Sequence, residues 1–290
     1  MTRPNRAIVA VLTTPVTLLI ALFCLAPLAV LFAYSFFRVN FVSIDTHASL
    51  ANYIKVASSD TYRTLIAKAL GTGVLVAIIT AIIGYPVAFF IAKRVVALKS
   101  ALLTALLIPL YTGDLVRIFA WRVVLGAEGV VNSFLIWLGI ISEPIWALLF
   151  SPTASLIVLT YNFLPFMVLG LWLGVESLDD RLIEAAADLG AGRVATFLRV
   201  VLPLTLPGLA AGGLMVFILV IGDYLTPQLI GGSSGVTVIS VINDLFGTAF
   251  DWPLGSAIAW SLLAAMLALV AAVGLALSRT TLGRALLAGE

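Results

Sequence analysis

Charge is what this 290-residue sequence has least of. Lys, Arg, Asp and Glu together make up 10% of it, against 62% hydrophobic residues. An ordinary soluble domain is about 25% charged and about 45–50% apolar. Burying a core does not explain that gap, so the composition points to a membrane protein. The net charge is only +2, and no Lys/Arg run stands out, which argues against nucleic acid as a partner. The single cysteine, Cys24, lies in an apolar run and can form no internal disulfide. One cysteine and one histidine cannot build a Cys/His metal site. A Ser–His–Asp triad would have to use His47, beside Asp45, and no nucleophile turn is nearby. A hydrated loop histidine is the plainer reading. None of the four lysines (Lys55, Lys68, Lys93, Lys99) follows a glycine, so G-x-x-x-x-G-K-[ST] is absent and with it a phosphate-cradling loop. The apolar runs also lack the clustered acids and histidines of a proton relay. If the chain moves solute uphill, the energy comes from elsewhere.

What the sequence does have is long apolar runs. A bilayer core about 30 Å thick needs roughly 20 apolar residues in a helix. Five uncharged runs qualify: Ala7–Phe37, Ala69–Ala92, Pro144–Val175, Val200–Gly222 and Trp252–Ser278. The first, following Arg3 and Arg6, is too long for a signal-peptide core of about 7–15 residues and reads as a retained span. A sixth run, Ser100–Gly113, stops at Asp114. A charge at mid-membrane costs about 2.5–3.5 kcal/mol, while each Leu or Ile returns about 0.3–0.6. Asp114 and Arg117 are three apart and can pair on one helix face. A span over about 100–122, with its charged end at the interface, is therefore expected. Gly129–Ser142 is apolar but too short to cross and reads as an interfacial or re-entrant helix. Prolines Pro86, Pro109 and Pro165 fall within spans, where neighbouring helices or a cavity can satisfy the freed backbone.

Six spans put both termini on one side. With the N-terminus inside, the cytoplasmic Lys and Arg outnumber the outer ones by ten to six, so N-in/C-in follows. The reading is an all-α membrane protein, with residues 1–63 as a first helix and outer loop, 64–280 as a five-helix core and 281–290 as a short tail.

One polar segment interrupts this pattern on the inner side, between the fourth and fifth spans: EAAADLGAGRVATFLRVVLPL, Glu184 to Leu204. Alanine, glutamate and leucine favour helix over its first part. Gly190 and Gly192 offer a helix end and a turn, and an apolar-rich stretch then runs into Pro203 and Pro207. An ordinary amphipathic loop would satisfy this physics equally well. The spacing adds more: Glu184-Ala185-Ala186, three residues, Gly190, nine residues, Val200, one residue, Leu202-Pro203. This resembles the EAA motif of ABC-importer permeases, E-A-A-x3-G-x9-I-x-L-P, with Val200 in place of isoleucine as the one departure.

The resemblance implies a type I ABC-importer permease fold with cytoplasmic coupling helices between helices 4 and 5. Glu184, Ala185, Ala186, Gly190, Leu202 and Pro203 would form the surface that receives a separate ATPase. Two copies of that ATPase would carry the ATP and Mg, leaving this chain non-catalytic and without a cofactor of its own. A second permease subunit, an external solute-binding protein and the lipid bilayer would be its other partners, in a bacterial inner membrane. Three stretches, Ile108–Trp121, Gly222–Gly232 and Asn243–Ala257, look like the spermidine/putrescine permease subfamily. Permeases for opines, aminoethylphosphonate or amino-acid-like solutes share similar segments. Polyamines are polycations, which suit carboxylates and aromatic faces. Asp223 with Tyr224, then Asp114, Tyr111 and Trp121, are the expected pathway residues. Asp223 could equally be a helix-end or gate residue. Outside this class, a stand-alone carrier or a membrane enzyme would need coupling or acid–base residues that the spans do not supply.

Overall fold

The computed structural model describes residues 14–16, 18–40 and 43–279. Arg3, Arg6, the opening residues of the first apolar run, and the tail 281–290 with Arg284 lie outside the described residues. The described chain is almost entirely helical. In order come α1 (Ala26–Tyr34, entered through a π-turn at Ala21–Leu25), α2 (Ala51–Ser58), α3 (Asp60–Arg94), α4 (Lys99–Leu107), α5 (Asp114–Leu125) and α6 (Val130–Trp137). Then follow α7 (Pro152–Glu176), α8 (Asp180–Asp188), α9 (Arg193–Gly222), α10 (Leu225–Ile230), α11 (Val238–Gly247) and α12 (Trp252–Arg279). Among the described residues, six stretches are long and apolar enough to cross a membrane: Thr14–Tyr34, Asp60–Arg94, Asp114–Trp137, Pro152–Glu176, Arg193–Gly222 and Trp252–Ala276.

The third of these differs from the expected 100–122. The helix that starts at Lys99 tightens into a 3-10 turn at Ile108–Tyr111 and ends with Thr112 extended. Pro109, in the first turn of that segment, has no amide hydrogen and its ring crowds the preceding turn. A new helix begins at Asp114, whose charge suits a helix N-terminus. The apolar window then runs on through a turn at Gly126–Gly129 into α6, so the short helix expected within 129–142 is present as Val130–Trp137. The fourth span also starts later than the apolar run. Ser151 accepts a hydrogen bond from the Ala154 amide at 3.1 Å, and Pro152 takes the first helical position. Residues 144–151 form a loop with one 3-10 turn at Trp146–Leu148 instead of the start of the span.

The described residues fall into two units, within Met1–Ile66 plus Val241–Met266 and within Ala67–Ser240 plus Leu267–Glu290. In the first, α1 leads to a two-stranded antiparallel hairpin, β1 (Arg38–Asn40) and β2 (Ser43–Asp45). Edge-to-face contacts of Phe32 with Phe36 and Trp260 surround the end of α1. The buried Ser35 hydroxyl donates to the Phe32 carbonyl at 2.6 Å, and the Asn52 amide donates to the Phe37 carbonyl at 2.8 Å. Those bonds satisfy carbonyls that the helix end leaves open.

The second unit is organised around α7 and α9. Each carries glycines four apart, Gly170/Gly174 and Gly208/Gly212, the small-residue spacing that lets membrane helices approach closely. A Cβ on Gly170 would lie 2.7 Å from the Gly212 Cα, and one on Gly208 would lie 2.4 Å from the Gly170 carbonyl oxygen. The two backbones are therefore in direct contact. Val76, Ala88, Leu159, Met167, Val168, Leu171, Val216 and Val220 pack as one buried cluster around this crossing. A smaller cluster, Ile118, Leu125, Ala154, Val158 and Ile230, joins α5, α7 and α10.

Candidate functional site: the loop between the fourth and fifth spans

The segment from Glu176 to Pro203 is built from two helices and a tight turn. Asp179 opens α8, its carboxylate accepting the Arg181 amide at 3.0 Å. The helix closes on two bonds: Gly190 N–H to the Ala187 carbonyl at 2.9 Å and Ala191 N–H to the Ala186 carbonyl at 3.0 Å. This is a Schellman ending, which requires a left-handed residue at the position after the cap. Gly190 holds φ at +80°, a region that costs a side-chain-bearing residue roughly 1–2 kcal/mol. The chain then re-enters helix at Arg193 and continues without a break to Gly222. Within it, Phe197–Val201 widens to a π-turn in which the Leu202 amide reaches back to the Phe197 carbonyl. Pro203, the next residue, can donate no such bond.

Ile183 points toward the buried cluster. Leu182, Ala185 and Leu189, spaced three and four apart and so on one face, are exposed, Leu189 to 88%. Val194 and Leu198 across the turn are exposed as well, as are Glu184 and Gly190. Ala186, Leu202 and Pro203 are half-buried. A set of exposed apolar side chains on a loop rimmed with charge has the character of a contact surface.

Two basic residues tie this loop down. Lys93, at the end of α3, donates to the Leu178 carbonyl at 2.6 Å and lies 2.8 Å from the Asp180 carboxylate. Lys99, at the start of α4, meets both oxygens of Glu176 at 2.8 and 2.9 Å. Neither lysine has an assigned partner in the sequence alone, where they bear on the absent phosphate loop and on the orientation of the spans. The available signal was that they share an aqueous side with Glu176 and Asp180. The rings of Tyr85 and Phe197 meet edge to face at 4.9 Å, and the Tyr85 hydroxyl hydrogen-bonds that of Thr205, which fixes the start of α9 against α3.

At the other end of α9 the expected pathway residues are less uniform. Asp223 caps α10: its carboxylate accepts the Thr226 amide at 3.0 Å and the Thr226 hydroxyl at 2.6 Å. Asp223 lies one residue past the span. Burial pushes its carboxyl above the ordinary range, the Thr226 bonds pull the other way, and the charge of Asp114 adds to the rise. Tyr224 follows, half-buried, as the residue before α10. Asp114 pairs with Arg117, whose side chain is only 11% exposed and whose Nε has no hydrogen-bond partner. Tyr111 is 87% exposed. Trp121 meets Tyr161 edge to face at 5.2 Å. In the first unit, His47 is exposed in the bend two residues past β2. Its backbone amide and then its ring bind the Asp45 carboxylate, at 3.0 and 2.7 Å, and hold that carboxyl below its usual range.

Residues 84–281 match the family model of the binding-protein-dependent transport system inner membrane component. Among curated relatives, the chain is 37% identical over 209 residues to the spermidine/putrescine transport system permease protein PotB of Escherichia coli (strain K12), covering 72% of this chain and 75% of that one. It is 37% identical over 229 residues to the protein of the same name from Haemophilus influenzae, covering 79% and 77%. Among solved structures, a chain of a bacterial alginate ABC transporter in complex with alginate pentasaccharide-bound periplasmic protein superposes with a TM-score of 0.73 at 16% identity, over 94% of each chain. That likeness concerns the fold, a type I permease. The chain belongs to the family of binding-protein-dependent transport system inner membrane components, and it is a multi-pass inner-membrane protein.

Proposed function

We propose that this family member is one of two permease subunits of an ATP-driven importer of polyamines. The observation that carries the coupling role is the loop after the fourth span: a Schellman turn at Gly190 that holds an exposed apolar face beside Glu184. Glu184, Ala185, Ala186 and Gly190 would meet the ATPase on the cytoplasmic side. Leu202 and Pro203 would carry the displacement into α9. Two ATPase subunits would hold the ATP and Mg, because this chain has no phosphate-cradling loop, and it would hold no cofactor itself. A second permease would complete the pathway, and an external binding protein would deliver the solute.

The polyamine assignment is supported by the relatives' names and by the carboxylates and rings at the outer end of α9. Asp223, Tyr224, Asp114, Tyr111 and Trp121 would line the route, offering charge and π-faces to a polycation. One observation favours a second reading. Arg117 is partly buried beside Asp114, and a cationic side chain in the lining would suit a solute that also carries a carboxylate, such as an opine.

Two measurements test this. The complex is purified through a tag on this chain, and the co-purifying ATPase is assayed with and without solute. Glu184→Ala and Gly190→Val should lower solute-stimulated hydrolysis and weaken assembly, and intact coupling in both would refute the role of the loop. Uptake of labelled putrescine, spermidine and an opine then separates the solute readings.

A further inference from the structure

A groove of about 970 Å³ runs along the second unit between α3 and α9. Its walls along the spans are apolar: Ala81, Ile82, Pro86 and Phe90 from α3, and Leu209 from α9. Its end beside the loop is different. Arg94 and Arg193 both line it there, next to Ile183 and Ala187 of α8. From Ala81 to Arg94 is thirteen residues, or about 20 Å of helix. Half of a hydrocarbon core is about 15 Å, so the groove reaches from mid-membrane to one headgroup layer.

The two arginines have no ion-pair partner among the described residues, whereas the neighbouring Lys93 and Lys99 are bound to Asp180 and Glu176. No carboxylate lines the groove. A polycation entering it would meet two like charges, so it is unsuited to be part of a polyamine route. An amphiphilic anion fits on both counts. Guanidinium groups bind phosphate oxygens in pairs, and an apolar trough open to the bilayer can seat an acyl chain by close packing, at no hydrophobic cost or gain relative to the surrounding lipid.

We propose that this groove holds one anionic phospholipid of the leaflet on the loop side, its phosphate between Arg94 and Arg193 and an acyl chain along Ala81–Phe90 and Leu209. Besides Arg94 of α3, the walls at the headgroup end come from α8 and α9, the two helices joined at Gly190. A bound lipid would therefore brace the turn that faces the ATPase.

The test uses the full-length chain in detergent, with phosphatidylglycerol and phosphatidylcholine of identical acyl chains, and counts retained lipids by native mass spectrometry. Two cationic contacts should favour phosphatidylglycerol by about thirtyfold, with one molecule retained per chain. In Arg94→Gln/Arg193→Gln the preference should fall close to one. In Arg199→Gln, an arginine outside the groove, it should persist. Leu209→Trp narrows the trough with both arginines in place and should also release the lipid, which covers the case of a misfolded double variant. Equal binding of the two lipids, a preference that survives in the double variant, or displacement by inorganic phosphate alone would overturn the proposal. In the assembled transporter in membranes, a photo-crosslinker at Phe90 should label lipid. Labelling of a second permease or of the ATPase would overturn it as well.

Discussion

The two ends of α9 are built on different principles. At the inner end, the loop takes its shape from local backbone chemistry: a capped start at Asp179, a Schellman close at Gly190 and a π-turn ahead of Pro203. Leu182, Leu189, Val194 and Leu198 are exposed on it, and Glu176 and Asp180 serve as its tethers. At the outer end, Asp223, Asp114 and Arg117 come from segments more than a hundred residues apart, and their polar groups are already engaged in caps and pairs. On the proposed function, the surface that would meet the ATPase is written in fixed spacings within one short stretch, whereas the one that would meet the solute is assembled from side chains of several segments, each with a structural duty as well.

Four experiments press on this contrast. The largest effect is expected where the inner and outer ends share one support. Gly208→Val would drive a side chain into the Gly170 carbonyl, and overpacking of this kind costs about 1–3 kcal/mol or more. Folded protein recovered from membranes should drop sharply, and normal yield would show that the helices can separate. Next, Gly190→Val forces a β-branched residue to φ +80°, at roughly 1–3 kcal/mol. Protein yield should hold, while solute-stimulated ATP hydrolysis falls about tenfold or more. A proportional loss of both would place the defect in folding instead.

The third experiment separates the two duties of Asp223. Asparagine keeps a capping oxygen and removes the charge, whereas alanine removes both. Losing the cap costs about 1 kcal/mol. If the charge serves the solute, both variants lose polyamine uptake. If Asp223 only caps α10, Asn retains it and Ala alone is impaired. The smallest effect is expected at the bend after β2. The Asp45 carboxyl is lowered by the His47 amide first and the ring second. A lowered folded value means a contribution that is present above the unfolded carboxylate range and lost as pH falls through the folded one. The protection of the His47 amide, its exchange rate taken relative to the intrinsic rate at each pH, should fall as the medium is acidified through that range, and His47→Ala should leave uptake unchanged.

Much of this molecule was legible before its structure. The six apolar runs are plain because a bilayer leaves few alternatives, and Gly190 is plain because few residues accept its conformation. What was missed depends on information that hydropathy does not carry. The third span is displaced because Pro109, not charge, decides where its helix stops, and Asp114 starts a helix where it was expected near the end of one. The fourth begins at Pro152 because Ser151 supplies a cap, a signature visible in the sequence but swamped by the apolar residues before it. The glycine pairs 170/174 and 208/212 were present as a spacing, yet a G-x-x-x-G names no partner until two helices are seen to cross. The tethers from Lys93 and Lys99 needed the same three-dimensional knowledge.

The position of that crossing has a mechanical consequence. α9 is a 30-residue helix, about 45 Å long, and Gly208 sits close to its midpoint, fifteen residues from Arg193 and fourteen from Gly222. A rod pivoted at its centre is a balance with equal arms. A tilt of about 10° there would swing each end by roughly 4 Å in opposite directions. Such a beam reverses a push but does not amplify it: an ångström delivered at the Gly190 turn becomes an ångström, no more and no less, at the cap formed by Asp223.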